Sequence, residues 1–376
     1  MPVANPKTVN VGIIGGGLMG REVASAFARW CALSDAPVTP QLTAVADLNP
    51  DTLKWFERIP SAKLLTADYK ELLASSDVDV VYVAVPHNLH EQLYIDTLEA
   101  GKDLLAEKPF GLNLAAAERI VASVDSTGRF CRCSSEFPFF PGAARAFQVA
   151  KDTSRFGRIL EVRAGFLHSS DLDPDKAANW KRMSNTCGEI GVMGDLGMHV
   201  AHLPLRLGWN PSRVYAQLQK GYAERRGVPC DTWDNATLQL WVEANGSAPF
   251  RMQWEMKRLA PGETDTWFFE VLGTDGGVRY STKEPKTVWT FRRDASGQFW
   301  DKTDMGFQTP YPTITGGIFE PGFPDVIQQM WCAFLTEREG FASDRFTCVT
   351  PQEALMSHRV FDAALRSQES HSAISI

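Results

Sequence analysis

The sequence predicts an α/β chain: an N-terminal doubly wound parallel sheet, then an α+β domain with a mostly antiparallel, open sheet. Three observations predict it. Short apolar runs alternate with helical stretches through roughly the first third of the chain. One of those runs, VDVVYVAV at 78–85, is almost wholly β-branched and apolar, as a parallel strand buried on both faces requires. Beyond it the pattern changes to period-two and aromatic-rich runs punctuated by turn dipeptides. The boundary falls between residues 133 and 134, dividing 1–133 from 134–376.

Taken in order, a first strand over 9–14 ends in glycines, and a helix over 21–33 follows with Val23, Phe27 and Trp30 at helical spacing. A strand over 41–46 ends at Asp47; helices over 51–58 and 68–74 lead to the 78–85 strand. A helix over 90–100, a strand over 103–106, a helix over 114–126 and a strand over 130–134 complete the first unit. The second unit opens with a helix over 142–151 and contains another over 191–207. Strands are expected at 159–167, 213–222, 236–242, 250–257, 267–272 and 287–292, with turns at Asn245-Gly246, Pro261-Gly262 and Asp275-Gly276-Gly277. A Gly- and Pro-rich loop over 309–324 precedes helices over 325–335 and 351–367.

Composition excludes several classes. The net charge is -7, and the densest basic clusters are the pairs Arg225-Arg226 and Arg292-Arg293, so no nucleic-acid footprint is expected. No apolar run approaches the roughly 20 residues of a membrane helix, and residues 1–10 lack the apolar core of a secretory signal. The seven cysteines are scattered, and Cys131-x-Cys133 lacks the partners of a zinc tetrad. They read as reduced thiols of a cytoplasmic protein, with no metal site.

The informative motif is GGGLMG at 15–20, a G-x-G-x-x-G between a strand and a helix. Gly15 permits the tight turn, Gly17 lets a pyrophosphate approach the backbone, and Gly20 packs helix on strand. Leu18 and Met19 open the helix, whose free N–H groups and dipole attract phosphate. Asp47 ends the next strand, where a carboxylate accepts ribose hydroxyls and repels a 2′-phosphate. NAD is therefore expected over NADP, although Asp47 can also cap the turn at Asn49-Pro50.

Three polar clusters fall where strands or helices should present them to a ligand. PHNLH at 86–90 follows one strand, and Glu107-Lys108-Pro109 follows the next. Lys108 could donate to a substrate oxygen; alternatively it pairs with Glu107 at the surface. Asp195 and His199 stand i, i+4 on one helix face, a suitable proton shuttle with a carboxylate beside it. The same pair could be a surface or capping pair, or two metal ligands without a third.

Together GGGLMG (15–20), VADLNP (45–50), PHNLH (86–90), GKDLLAEKPF (101–110) and GEIGVMGDLGMH (188–199) resemble the glucose–fructose oxidoreductase, inositol dehydrogenase and rhizopine catabolism (Gfo/Idh/MocA) family. The resemblance implies a Rossmann domain, a nicotinamide cofactor, a sugar, sugar-derivative or cyclitol substrate, and a homo-oligomer built through the open sheet. It implies that His199 moves the hydroxyl proton, Lys108 holds the reacting oxygen, and Asp195 orients substrate and histidine. It also places Pro86, Asn88, His90, Glu107 and Lys108 against the cofactor, and Trp180 and Lys181 at the substrate. The sequence departs from the family pattern at His202, where Asp is common, and at Glu136 and Pro138, where Asn and Arg are common. Two other activities share these residues: a glycosidase that keeps its NAD through transient oxidation and elimination, and a non-catalytic NAD-binding relative. Retention of Lys108, Asp195 and His199 together argues against the second.

Overall fold

The computed structural model describes residues 6–243, 248–341 and 344–376. The expected turn at Asn245-Gly246 lies outside the described residues.

The first sheet comprises β1 (Lys7–Ile14), β2 (Val38–Ala46), β3 (Leu64–Thr66), β4 (Val80–Val83), β5 (Asp103–Ala106) and β6 (Cys131–Cys133). All neighbours are parallel, in the order β3-β2-β1-β4-β5-β6. Strand order reverses between β1 and β4, and the crevice at their carboxyl ends is where such sheets bind ligands. Val80 to Val83 are buried throughout, as the uninterrupted apolar run requires. Five helices connect these strands: α1 (Leu18–Ala28), α2 (Pro50–Phe56), α3 (Tyr69–Ala74), α4 (His90–Glu99) and α5 (Leu114–Thr127). Asn49, Asp68 and Asn113 cap α2, α3 and α5 by accepting backbone N–H bonds.

The helix α6 (Pro141–Lys151) and strand β7 (Ile159–Leu167) lead into the second unit. The short α7 (Ser184–Cys187) and the long α8 (Val192–Arg206) follow. The sheet continues with β8 (Pro211–Gln219), and β9 (Glu224–Arg225) and β10 (Val228–Pro229) form a separate hairpin. Next come β11 (Asn235–Val242), β12 (Phe250–Lys257), β13 (Thr266–Gly273), β14 (Gly276–Ser281), β15 (Thr287–Asp294) and β16 (Gly297–Asp304). Two helices, α9 (Phe323–Arg338) and α10 (Pro351–Ser370), and a closing strand β17 (Ile374–Ser375) end the chain. The sheet order is β16-β15-β14-β13-β7-β12-β11-β8-β17, antiparallel except between β7 and β12. Alternation is strict in β11, where Ala236, Leu238, Leu240 and Val242 are buried and their neighbours half-exposed.

Several expectations are corrected. The expected Asp275-Gly276-Gly277 turn is half strand, because both glycines pair in β14 with β15. Strands β3, β14 and β16 were not expected; β3 is three residues long, and β16 is mostly polar and exposed. The helix after GGGLMG starts at Leu18 and ends at Ala28, where a 3₁₀ turn over Trp30–Ala32 takes over. Packing also crosses the boundary expected at 133/134. Helix α9 covers the first sheet: Trp331 meets Phe27 and Tyr82 edge-on, and the Gln328 amide donates to the Arg29 carbonyl at 2.7 Å. Cys133 and Val349 exchange backbone hydrogen bonds, tying β6 to the segment before α10.

Among the described residues all seven cysteines are free thiols, and no group of three or more His, Cys, Asp or Glu is placed to hold a metal. No described helix is long and apolar enough to cross a membrane.

Candidate active site

A single cavity of about 950 Å³ runs from the β1–α1 turn to the face of α8. At its first end Gly15 adopts φ +96°, and a Cβ there would lie 2.2 Å from the Ala84 carbonyl oxygen. Only glycine fits this turn, which crosses the top of β4. Gly17 is the N-cap of α1 without a side-chain cap, and a Cβ on it would meet open space. The helix therefore presents uncapped N–H groups and no acidic side chain to the cavity. Asp47 shapes the turn from the side: Oδ2 accepts the Gly16 N–H and Oδ1 the Asn49 N–H, both at 2.8 Å. It both caps the Asn49 turn and lines the cavity. This open backbone, free helix end and carboxylate fit a dinucleotide, with Gly15, Gly17, Leu18, Met19 and Asp47 on the lining.

At the other end β5 and α8 converge. Lys108 follows β5, before a cis peptide bond to Pro109. Its ammonium donates to the Asp195 carbonyl at 2.7 Å and to Asp195 Oδ1 at 3.2 Å. The alternative pairing with Glu107 is thereby corrected, because the Glu107 carboxylate is occupied elsewhere. It accepts from Tyr82 Oη at 2.6 Å, Ser134 Oγ at 2.8 Å and the Lys108 backbone N–H at 3.1 Å. Asp195 lies in the first turn of α8, where the dipole favours a carboxylate. Lys181 Nζ also reaches Oδ1 at 2.8 Å, and Arg258 Nη2 holds Oδ2 at 3.1 Å. Burial pushes the Asp195 carboxyl up, but Lys181, Lys108 and Arg258 outweigh it and hold it well below the ordinary range. For Lys108, burial pulls down, and the carboxylates of Asp195, Glu107 and Glu136 override it, keeping the ammonium charged.

His199 lies one turn along α8, its ring boxed edge-on by Phe137 and Phe166. Nδ1 stands 3.4 Å from Ser135 Oγ and 3.9 Å from Glu136 Oε2. Among the described residues nothing engages Nε2 by a hydrogen bond, and the ring lines the cavity. Burial, then the Lys108 charge, press its pKa well below the usual value, so the imidazole is neutral and can accept a proton. Asp195 does not orient this ring, contrary to expectation: its carboxylate is taken up by three cations. Glu136 lies three residues after β6, before the turn over Phe137–Phe139, and is buried on the cavity wall; burial and Glu107 push its carboxyl up to about 7.

Other expected residues are placed as follows. Pro86, Glu107, Lys108, Trp180 and Lys181 line the cavity. His90 does not: it is fully buried, with backbone carbonyls of Pro109 and Val85 at 2.7 and 3.0 Å from its two ring nitrogens. Asn88 is exposed and off the lining, and Gly20 packs against the Gly15 carbonyl beneath it. His202 is buried against Phe346, and Pro138 lies in the buried turn after Glu136, both outside the cavity. Sequence reasoning missed His87, whose ring meets Trp180 edge-on at 4.6 Å on the cavity wall. It lies inside the PHNLH motif, which was the available signal. It also missed His168 and Asp265 on the lining, and Arg258, for which no local pattern exists.

Two family models match the chain. One is the oxidoreductase family with an NAD-binding Rossmann fold, over residues 9–135; the other is the GFO/IDH/MocA C-terminal domain, over 145–279. The chain is 26% identical over 329 residues to levoglucosan dehydrogenase of Pseudarthrobacter phenanthrenivorans, which covers 81% of this chain and 80% of that one. It is 32% identical over 260 residues to trans-1,2-dihydrobenzene-1,2-diol dehydrogenase of Xenopus laevis, 69% of this chain and 72% of that one. A solved structure of levoglucosan dehydrogenase with NADH and levoglucosan superimposes with a TM-score of 0.88 at 23% identity, over 98% of this chain and 100% of that one. That last likeness is one of fold.

Proposed function

The chain belongs to the Gfo/Idh/MocA family of NAD-binding oxidoreductases, and from that premise we propose that it is an NAD-dependent dehydrogenase of a sugar, sugar derivative or cyclitol. The observation that carries this reading is the convergence of Lys108 and His199 on one cavity with the glycine turn and Asp47. Relatives named for dehydrogenation of levoglucosan and of a dihydrobenzene diol support it.

Gly15, Gly17, the start of α1 and Asp47 would hold the cofactor, which when bound supplies a nicotinamide as hydride acceptor. Asp47 favours NAD, because a 2′-phosphate would face its carboxylate. Of the three N–H donors of Lys108, two are spent on Asp195. The third is free to meet the reacting oxygen and stabilise the negative charge that develops as its proton leaves. His199 Nε2 takes that proton, or returns it in the reverse direction. Lys181 and Trp180 border the substrate, with donors and an apolar ring face suited to a hydroxylated ring. Phe137, Phe166 and Phe323 add apolar surface to the same wall.

The same proposal includes a cytoplasmic homo-oligomer. Its support is the sheet face away from α8, where Thr237, Gln239, Trp241, Gln253 and Glu255 stand half-exposed in a flat array. The test is NADH formation by the purified protein over sugars, glycosides, sugar acids and inositols, with NAD and NADP in parallel. Stoichiometric NADH with NAD preferred is expected. Silence across the panel, with bound NAD released on denaturation, would replace this reading by the redox-neutral glycosidase cycle.

A further inference from the structure

His199 needs a counter-charge that the residues read from the sequence do not supply. When Nε2 takes a proton the ring becomes cationic, in a buried pocket beside the Lys108 ammonium. The Asp195 charge favours the protonated ring, but Lys108 outweighs it, and both Asp195 oxygens are committed to Lys108, Lys181 and Arg258. Phe137 and Phe166 stand nearly perpendicular to the ring and carry no charge. On the Nδ1 side stand Ser135 Oγ and, 3.9 Å away, the carboxyl of Glu136.

Glu136 is itself unusual. Its side chain is buried in the segment after β6, on the cavity wall, and among the described residues its carboxyl makes no hydrogen bond to another side chain. Such a group costs stability unless it is used. The charged or titratable groups around it are Glu107 and Lys108 at the end of β5, Tyr82 on β4, Asp265 before β13 and His199 on α8. Burial and Glu107 raise it, Lys108 opposes them, and the outcome is a carboxyl that titrates at about 7.

We propose that Glu136 is the positioning residue of His199, its carboxylate standing on the Nδ1 side as the counter-charge of the imidazolium that forms when Nε2 takes a proton from the substrate hydroxyl. The substrate O–H bond breaks, an Nε2–H bond forms, the ring becomes cationic with the Glu136 carboxylate 3.9 Å from Nδ1, and the Nε2 proton later leaves to water through the cavity. The electron pair of the broken substrate C–H bond leaves with the hydride to the cofactor and does not enter this path. The substrate step rests on the dehydrogenase reading; the Glu136–His199 coupling does not.

The coupling is tested first without substrate. The full chain labelled with ¹⁵N-histidine is titrated by NMR, with the His199 signals identified by their loss in His199→Asn. An inflection in the His199 signals near neutral pH is expected, absent in Glu136→Gln and displaced but present in Glu136→Asp. Identical His199 titrations in wild type and Glu136→Gln would overturn the proposal; thermal melts of each variant confirm that the comparison is between folded proteins, and Glu136→Asp serves if Glu136→Gln does not fold. With a substrate from the NADH screen, Glu136→Gln should lower kcat at least about tenfold above neutral pH, with KM nearly unchanged and the neutral inflection of kcat removed. A raised KM with wild-type kcat would instead put Glu136 on the substrate and overturn it. A wild-type protein that forms no NADH, with the NMR coupling intact, would overturn the dehydrogenase reading and leave this one standing.

Discussion

Asp195 is the residue on which the charge of the site turns, since one buried carboxylate answers three cations and one of them, Arg258, is wholly buried. Asp195→Asn leaves those cations uncompensated, and a loss of about 3–5 kcal/mol in denaturant unfolding is expected. Lys108→Met and His199→Ala should lower turnover by about a hundredfold or more while NAD still binds, as single-turnover and titration measurements would show. Glu136 predicts the opposite sign of stability change. Its folded pKa lies above its unfolded value of about 4.3, so the folded state binds the proton more tightly. The stability linked to it is therefore full in acid and is lost as pH rises through about 7. The buried histidines slope the other way near pH 6, so the informative quantity is the difference between variant and wild type. Glu136→Gln should match wild type near pH 4 and exceed it by up to about 3 kcal/mol at pH 8. Melting both proteins across that range checks it, and an equal or less stable variant at pH 8 would mean the carboxylate is better solvated than its burial implies.

At the scale of elements, the β1–α1 turn shows why some of the site was legible. Gly15, Gly17 and Gly20 act within one contiguous turn, so their spacing records the geometry directly, and Asp47 needs only the end of the adjacent strand. Gly15→Ala places a methyl against the Ala84 carbonyl and strains φ, so NAD affinity should fall at least about tenfold and the melt should shift down. Asp47→Asn keeps an acceptor but removes the charge; the preference for NAD over NADP should fall about ten- to a hundredfold, read as the ratio of kcat/KM values. The proposed catalytic face was legible for the same reason, because Asp195 and His199 share one helix. Their partners were not. Arg258 reaches Asp195 from the end of β12, 63 residues away, and Glu136 faces His199 across 63 residues from the segment after β6. A sequence shows that such residues are polar, and only the packing shows which carboxylate each one faces. Strand β14 was hidden differently, since its two leading glycines carry a turn signature and the sheet overrides it.

For the molecule as a whole, chain order and packing order differ, and that difference makes a claim about cooperativity. The first sheet is closed on one side by α9, which follows every strand of the second sheet except the closing β17. Trp331 is fully buried between Phe27, Tyr82 and Phe334, so it belongs to the core of the nucleotide-binding unit. Arg338 on the same helix pairs with Asp103 at 2.7 Å, and Arg132 on β6 forks onto Glu337. Helix α10 reaches back likewise: the Gly111 N–H donates to His358 Nε2 at 3.1 Å. Neither unit can complete its core before the chain has returned, so unfolding should be one transition despite the two-domain appearance. Trp331→Ala should cost about 3–5 kcal/mol, more than the ordinary surface substitution by severalfold. Its effect should reach α8 as well, lowering the single melting transition and stripping NAD from the protein together, with saturating NAD recovering part of the loss by mass action. Calorimetry with and without NAD tests this. Two resolved transitions, with only the first moved by Trp331→Ala, would mean that α9 stabilises the nucleotide sheet alone and that the catalytic helix folds independently of it.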